Sequence, residues 1–132
     1  MTLGVRAIVE NTDGKIVLVR HTYTPGLYLP GGGVERDEPA LTALERELVE
    51  EAGIELSAIA ELIGIFSNHA IMRNDHVLLY KAQDWRSVPI VDRGEIAEVI
   101  WADPLSPPSD ITPATRRRLA EVYLGEAQSA YW

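Results

Sequence analysis

The sequence predicts an α/β fold, a mixed β-sheet packed between helices, and three observations lead there. The chain has 132 residues, of which 46% are apolar and 24% charged, the balance of a single globular core rather than of a disordered or fibrous chain. Five short segments rich in Val, Ile and Leu have strand length and partial period-two alternation. Two longer segments carry apolar residues at helical spacing, with capping residues at their ends.

Leu3 to Glu10 and Lys15 to Arg20 flank the turn Asn11-Thr12-Asp13-Gly14, and so predict a β-hairpin. The stretch HTYTPGLYLPGGGVE follows, and its prolines at 25 and 30 and glycines at 26 and 31 to 33 exclude a helix. It reads as a loop where backbone can approach a ligand. A helix is expected over 38 to 52, with Asp37 or Glu38 as its cap, Pro39 in its first turn and Gly53 just past its end. Ile59 to Phe66, His76 to Ala82 and Glu98 to Ala102 read as three further strands, the second apolar enough to lie centrally. After the turn PLSPPSD, a last helix is expected over 113 to 127, with Thr112 as N-cap and Leu119, Val122 and Tyr123 as contacts. No repeat or linker interrupts the chain, so one domain over 1–132 is expected.

Composition removes several classes of function. There is no cysteine, which excludes disulfides, thiolate metal sites and cysteine nucleophiles and leaves oxygen or imidazole to hold any metal. The longest apolar runs are only a few residues, for example Val77 to Tyr80, and the amino terminus has no basic, hydrophobic and cleavage regions in series. A cytoplasmic protein with no membrane partner is therefore expected, as a monomer or homodimer. Twelve basic against twenty acidic residues give a net charge of −8, which repels a nucleic-acid polymer. A small anionic substrate needs a local cation instead.

The helix over 38 to 52 supplies a place for that cation. At about 100° per residue, Leu41, Leu44, Leu48 and Ala52 lie within about 80° of one another and define the buried stripe. Glu47, Glu50 and Glu51 share a sector of about 100° beside it, with Arg46 past the far edge. Like charges at these spacings cost a helix only about 0.2–0.5 kcal/mol each, so the patch alone is either a solvated face or a metal site. The Gly31-Gly32-Gly33 backbone ahead of it favours the metal site, because carboxylates with carbonyl oxygens suit Mg²⁺ or Mn²⁺.

The order of these residues is itself a motif. Gly32, five free positions, Glu38, seven free positions and then Arg46-Glu47-Leu48-x-Glu50-Glu51-x-Gly53-Ile54 resembles the complete box of the Nudix family. At background residue frequencies a chance match in a chain of this length is on the order of one in ten million. The strands before the box, and the strands and helix after it, resemble the family's α/β/α sandwich as well. Asp37 stands where many members have glycine: as a helix cap it would be harmless, whereas a turn needing positive φ would be strained there.

The resemblance implies a Mg²⁺- or Mn²⁺-dependent hydrolase that cuts the pyrophosphate bond of a nucleoside diphosphate linked to another group. It implies Glu47, Glu50 and Glu51 as metal ligands, the Gly31 carbonyl as a further one, and Arg46 as the residue that orients the carboxylates. Glu38 supports the loop, reaches the metal through water or serves as a first-turn helix acid. The general base is one of the box glutamates, or Glu95 or Glu98 from the later loop, and Glu35 is a further ligand or water-orienting candidate. Arg20, Arg73 and Lys81 could meet phosphate, and Tyr28 and Phe66 could stack on a base. Each reads equally as an ordinary strand or core residue. His21, His69 and His76 have no ligand spacing and read as surface or core residues, and Arg116-Arg117-Arg118 as a solvated or dimer-contacting helix face.

The family's short substrate markers past the box are missing from Ser67 to Met72, which tilts the reading toward nucleoside triphosphates, oxidised ones included. ADP-ribose or a nucleotide sugar is the alternative substrate. A domain that senses a nucleotide or protein without hydrolysis is the alternative class.

Overall fold

The computed structural model describes residues 1–91 and 94–132. In chain order its elements are β1 (Thr2–Val9), β2 (Ile16–His21), β3 (Leu27–Tyr28), β4 (Gly31–Gly33), α1 (Ala40–Ala52), β5 (Ile54–Leu56), β6 (Glu61–Ser67), β7 (Asp75–Ala82), β8 (Trp85–Ser87), β9 (Ile96–Ala102) and α2 (Pro113–Tyr123). They form a four-stranded sheet in the order β4-β1-β7-β6, a three-stranded sheet β3-β2-β9, and a pair β5-β8. The first sheet is mixed, because β1 runs parallel to β7 and antiparallel to β4.

The core lies on both sides of these strands, which is why β2 reads as an unbroken apolar run. Val17 and Val19 join Val5, Ala7 and Val9 of β1 under Leu44 and Leu48 of α1. Ile16 and Leu18 face the other way, into a cluster with Phe66, Leu79 and Leu119 of α2. The layers are therefore α1, sheet and α2, as the sequence predicts. Leu44 and Leu48 are fully buried, and shortening either to alanine should cost about 2–5 kcal/mol. Gly53 ends α1 at φ 65°, with its N–H on the Leu48 and Val49 carbonyls. A side chain there would meet the Val88 carbonyl at 2.6 Å.

Several expectations are corrected. β1 and β2 are not a hairpin but belong to different sheets, joined near their turn by the Glu10–Ile16 bridge and the bonds between Asn11 and Lys15. The reason is that each strand has two edges, and β4 and β7 occupy those of β1 while β3 and β9 occupy those of β2. The triple glycine is a strand, not a loop: it lies so close to β1 that a side chain on Gly31 would overlap the Val5 carbonyl. α1 begins at Ala40, with Pro39 as its N-cap residue and no side-chain cap. Asp37 instead takes φ 62° in the preceding turn. The short β5–β8 pair was not expected.

At the other end, Thr112 does cap α2, accepting from the Thr115 N–H. The helix stops at Tyr123 rather than continuing to 127, because Gly125 turns the chain at φ 71°. The segment beyond returns to β6 and bridges Ser67 with Tyr131. Arg118, expected on a solvated face, is fully buried beneath that returning segment. Among the described residues no helix is long and apolar enough to cross a membrane.

Candidate active site

The approach to α1 builds the first half of the site. Between Glu35 and Glu38 the chain makes a tight turn, closed by the Glu38 N–H on the Glu35 carbonyl at 3.1 Å and the Glu35 N–H on Glu38 Oε1 at 3.0 Å. The turn presents the Glu38 carboxylate to Arg46, two turns into the helix. Arg46 Nε donates to Glu38 Oε2 at 2.9 Å and Nη2 to Oε1 at 3.0 Å, a bidentate pair. Its Nη1 donates to Glu47 Oε1 at 2.9 Å and lies 3.5 Å from Glu50 Oε2, while Nη2 also reaches the Gly33 carbonyl at 3.2 Å and Glu35 at 3.8 Å. The Arg46 guanidinium, and then the Glu35 N–H, hold the Glu38 carboxyl down at about 2. Arg46 is raised in turn, above all by Glu38. Glu38 is thus no first-turn helix acid but the anchor of Arg46.

Glu51 is fixed from the opposite side. Its Oε1 accepts the Gly31 N–H at 2.9 Å, and its Oε2 stands 2.9 Å from His21 Nε2. The imidazole is buried, stacked on Tyr23 and edge-on to Tyr28, with ring centroids 5.2 and 5.1 Å away. Its Nδ1 has no hydrogen-bond partner among the described residues. A carboxylate on Nε2 and nothing on Nδ1 leaves the proton on Nε2, pointing at Glu51. His21 continues the inward face of β2 set by Val17 and Val19, and that parity was the signal by which sequence reasoning could have found it.

Glu47 lies between these anchors, its carboxylate against Gly32, where a Cβ would stand 2.5 Å from Oε1. Burial, and then repulsion from Glu51 and Glu50, push its carboxyl up against the pull of Arg46. Glu47, Glu50 and Glu51 form one wall of a cleft of ≈ 280 Å³, and Glu95, Ile96, Glu98 and Val99 line it as well. Two predicted residues from one distant segment, Glu95 and Glu98, therefore line the same cleft as the box acids Glu47, Glu50 and Glu51.

The remaining candidates take other positions. Arg20 is held by Glu98 at 3.1 Å and Asp110 at 2.8 Å. Tyr28 touches His21, and its hydroxyl is 3.3 Å from Thr24 Oγ1. Glu35 is exposed at the edge of the Arg46 network. The Gly31 carbonyl accepts from Arg6 Nη1 at 3.4 Å, and the same nitrogen donates to the Leu29 carbonyl at 2.9 Å. Arg6 was not singled out in the sequence, where one arginine in a strand gives no signal.

The donors fit a hard divalent cation in kind and in charge. They are all oxygen, Glu47 carries the strain of two neighbouring carboxylates, and Gly32 leaves it room that any side chain would take. Among the described residues no three His, Asp or Glu side chains converge on one point; Arg46 and His21 each hold an oxygen of the cluster.

Fold, motif and acidic cleft together define a hydrolase of phosphorus-containing anhydrides. The chain belongs to the NUDIX domain family, whose model matches residues 1–122. A Bacillus subtilis protein with the provisional name 8-oxo-dGTP diphosphatase is 29% identical over 118 residues, 89% of this chain and 77% of that protein. A MutT-like protein of Streptomyces ambofaciens is 29% identical over 92% of this chain and 71% of its own length. Among solved structures, a MutT NUDIX hydrolase from Burkholderia pseudomallei superposes with a TM-score of 0.78 at 28% identity, covering 92% of this chain and 97% of that one.

Proposed function

We propose that this protein is a Mg²⁺-dependent pyrophosphohydrolase of nucleoside diphosphate derivatives, with nucleoside triphosphates, oxidised ones included, as its favoured substrates. The observation that carries this reading is the meeting of Glu47, Glu50 and Glu51 in one cleft beside the Gly31–Gly33 strand. The B. subtilis relative's name supports the oxidised triphosphate in particular.

In this reading Glu47, Glu50, Glu51 and the Gly31 carbonyl hold the cation, with Mn²⁺ as the substitute for Mg²⁺. Such an ion, when bound, neutralises pyrophosphate oxygens and acidifies water. The chain's own residues do the rest. Arg46, anchored by Glu38, sets the orientation of Glu47, and His21 with the Gly31 N–H sets that of Glu51. Glu95 and Glu98 line the same cleft as the box acids and, with them, are the candidates to take a proton from the attacking water. Arg20, paired with Glu98, and Glu35, beside Arg46, are the candidate substrate contacts.

Tyr28, in contact with His21, and Arg6, which donates to the Gly31 carbonyl, also line a second cleft of ≈ 480 Å³, whose lining includes His69, Arg117, Tyr131 and Trp132 and, among the described residues, no acidic one. Its volume suits a small-molecule ligand, and we assign it to the nucleoside end of the substrate. The enzyme is read as one domain over 1–132, a cytoplasmic monomer or homodimer.

The test is a hydrolysis panel of nucleoside triphosphates, 8-oxo-dGTP, ADP-ribose, nucleotide sugars and dinucleoside polyphosphates, run with Mg²⁺ and with EDTA. Triphosphates should be cut fastest, and only with the metal. Faster cleavage of ADP-ribose or a sugar nucleotide would move the substrate, and no cleavage of any would leave a nucleotide-sensing module.

A further inference from the structure

The segment after α2 is bound to the fold by a device whose cost requires an explanation. Arg118 is fully buried, its guanidinium 4.0 Å from the Phe66 ring centroid and 5.0 Å from that of Trp132. A buried cation is tolerated only when its donors are satisfied. Nε and Nη2 donate to the Glu121 carboxylate at 2.8 Å each, and Nη1 donates to the Tyr131 and Trp132 carbonyls at 3.0 and 2.8 Å. Glu121 in turn accepts the Ser129 N–H at 2.9 Å. The buried pair therefore grips one short segment from both members, Glu121 at Ser129 and Arg118 at Tyr131 and Trp132.

Further bonds hold this stretch along its length. The Ser67 N–H donates to the Ala130 carbonyl at 2.8 Å, the Trp132 N–H to the Ser67 carbonyl at 2.9 Å, and the Tyr131 N–H to Ser129 Oγ at 3.0 Å. Arg117 donates twice more to the Trp132 carbonyl. Every backbone group of Tyr131 is thus engaged, yet the residue is 58% exposed. The ring leans edge-on against His69 at 5.1 Å and lines the larger cleft, as Tyr28 does. A rigid backbone presenting an open aromatic face binds with little loss of conformational freedom. The family model matches residues 1–122, and this segment follows that match.

We infer that the segment Ser129–Trp132, clamped by Arg118 and Glu121, is a built wall of the substrate cleft and that Tyr131 is a specificity-determining residue that stacks on the substrate's aromatic base. The inference rests on the cleft taking the nucleoside end, as proposed above.

Two measurements test it. The first needs no turnover: nucleoside 5′-monophosphates are titrated into metal-free protein by calorimetry. Tyr131→Ala should weaken binding about tenfold, the scale of one base-stacking contact, and Tyr131→Phe should restore it. The second is steady-state hydrolysis of nucleoside triphosphate against inorganic tripolyphosphate, which has no base. Tyr131→Ala should raise KM for the nucleotide about tenfold with little change in kcat, and leave KM for tripolyphosphate unchanged. Equal monophosphate affinity in wild type and Tyr131→Ala overturns the inference, as does no binding by wild type, even if Mg²⁺-dependent hydrolysis persists. Loss of hydrolysis with the binding difference intact would overturn the catalytic reading alone.

Discussion

His21 and Glu51, thirty residues apart in the chain, meet at 2.9 Å between imidazole Nε2 and carboxylate Oε2. The contact ties the last residue of β2 to the last acid of the box, and the Gly31 N–H completes the grip on Glu51. His21 acts through another residue, so its loss should look different from loss of the acid. His21→Ala should lower activity about 10–100-fold and raise the Mg²⁺ concentration needed for half-maximal rate. A Mg²⁺ titration of the variant's rate checks this. A rate loss with an unchanged titration curve would contradict the positioning role.

Glu51→Gln removes a charge while keeping the shape of the side chain. Turnover should fall by about two to four orders of magnitude, the scale of losing a positioned acid or base. The melting temperature should change little. Near-normal kcat would defeat the assignment of the box acids.

A cation bound as proposed would relieve the repulsion among Glu47, Glu50 and Glu51. Mg²⁺ at about a hundred times its dissociation constant should add about 2.7 kcal/mol to stability, a rise in Tm of roughly 10 °C for a chain of this size. EDTA should reverse it, and the combined Glu47→Gln, Glu50→Gln, Glu51→Gln variant should show no rise. Calorimetric melts with and without metal decide the matter.

The pairing of Glu38 with Arg46 carries its own pH signature. The folded carboxyl is held at about 2 against an ordinary 4.5, so folding favours the ionised form. The stabilisation is present above pH 4.5 and is lost as pH falls toward about 2. Melts of wild type and Glu38→Gln should differ at pH 7 and converge across that window. A gap constant down to pH 2 would mean that the charge contributes nothing.

Asp37 sits at φ 62° with its side chain 94% exposed. Left-handed backbone is easier for glycine than for any residue with a Cβ. Asp37→Gly should therefore stabilise the protein by about 0.5–1 kcal/mol without changing kcat. Urea unfolding measures this directly.

The box acids were legible in the sequence because a helix period and a fixed spacing are local properties. The strand over Lys15 to Arg20 was likewise legible from its Val and Ile residues, whereas the burial of both its faces was not read from them. Partnership of strands was not legible: Asn11 to Gly14 is a good turn, and only the edges already taken by β4 and β7 send β1 and β2 into separate sheets. Gly31–Gly33 has no side chains, hence no alternation by which to read a strand. Arg118 looked solvated because its partners besides Glu121 are backbone carbonyls thirteen and fourteen residues away, which composition does not reveal. His21 was discounted on ligand spacing, whereas its strand parity was the better guide.

The parallel pairing of β1 with β7, from Thr2 opposite Asp75 to Val9 opposite Ala82, bears on how the protein is made. While the chain is being synthesised, the glycine strand and the acidic helix emerge long before β7. Until residue 82 is out, the first strand has one neighbour and one bare, strongly apolar edge, open to pairing with another nascent chain. The long closure also slows folding. Substitutions in β7 should therefore be felt first as loss of yield during expression and only secondarily in the catalysis of the molecules that survive.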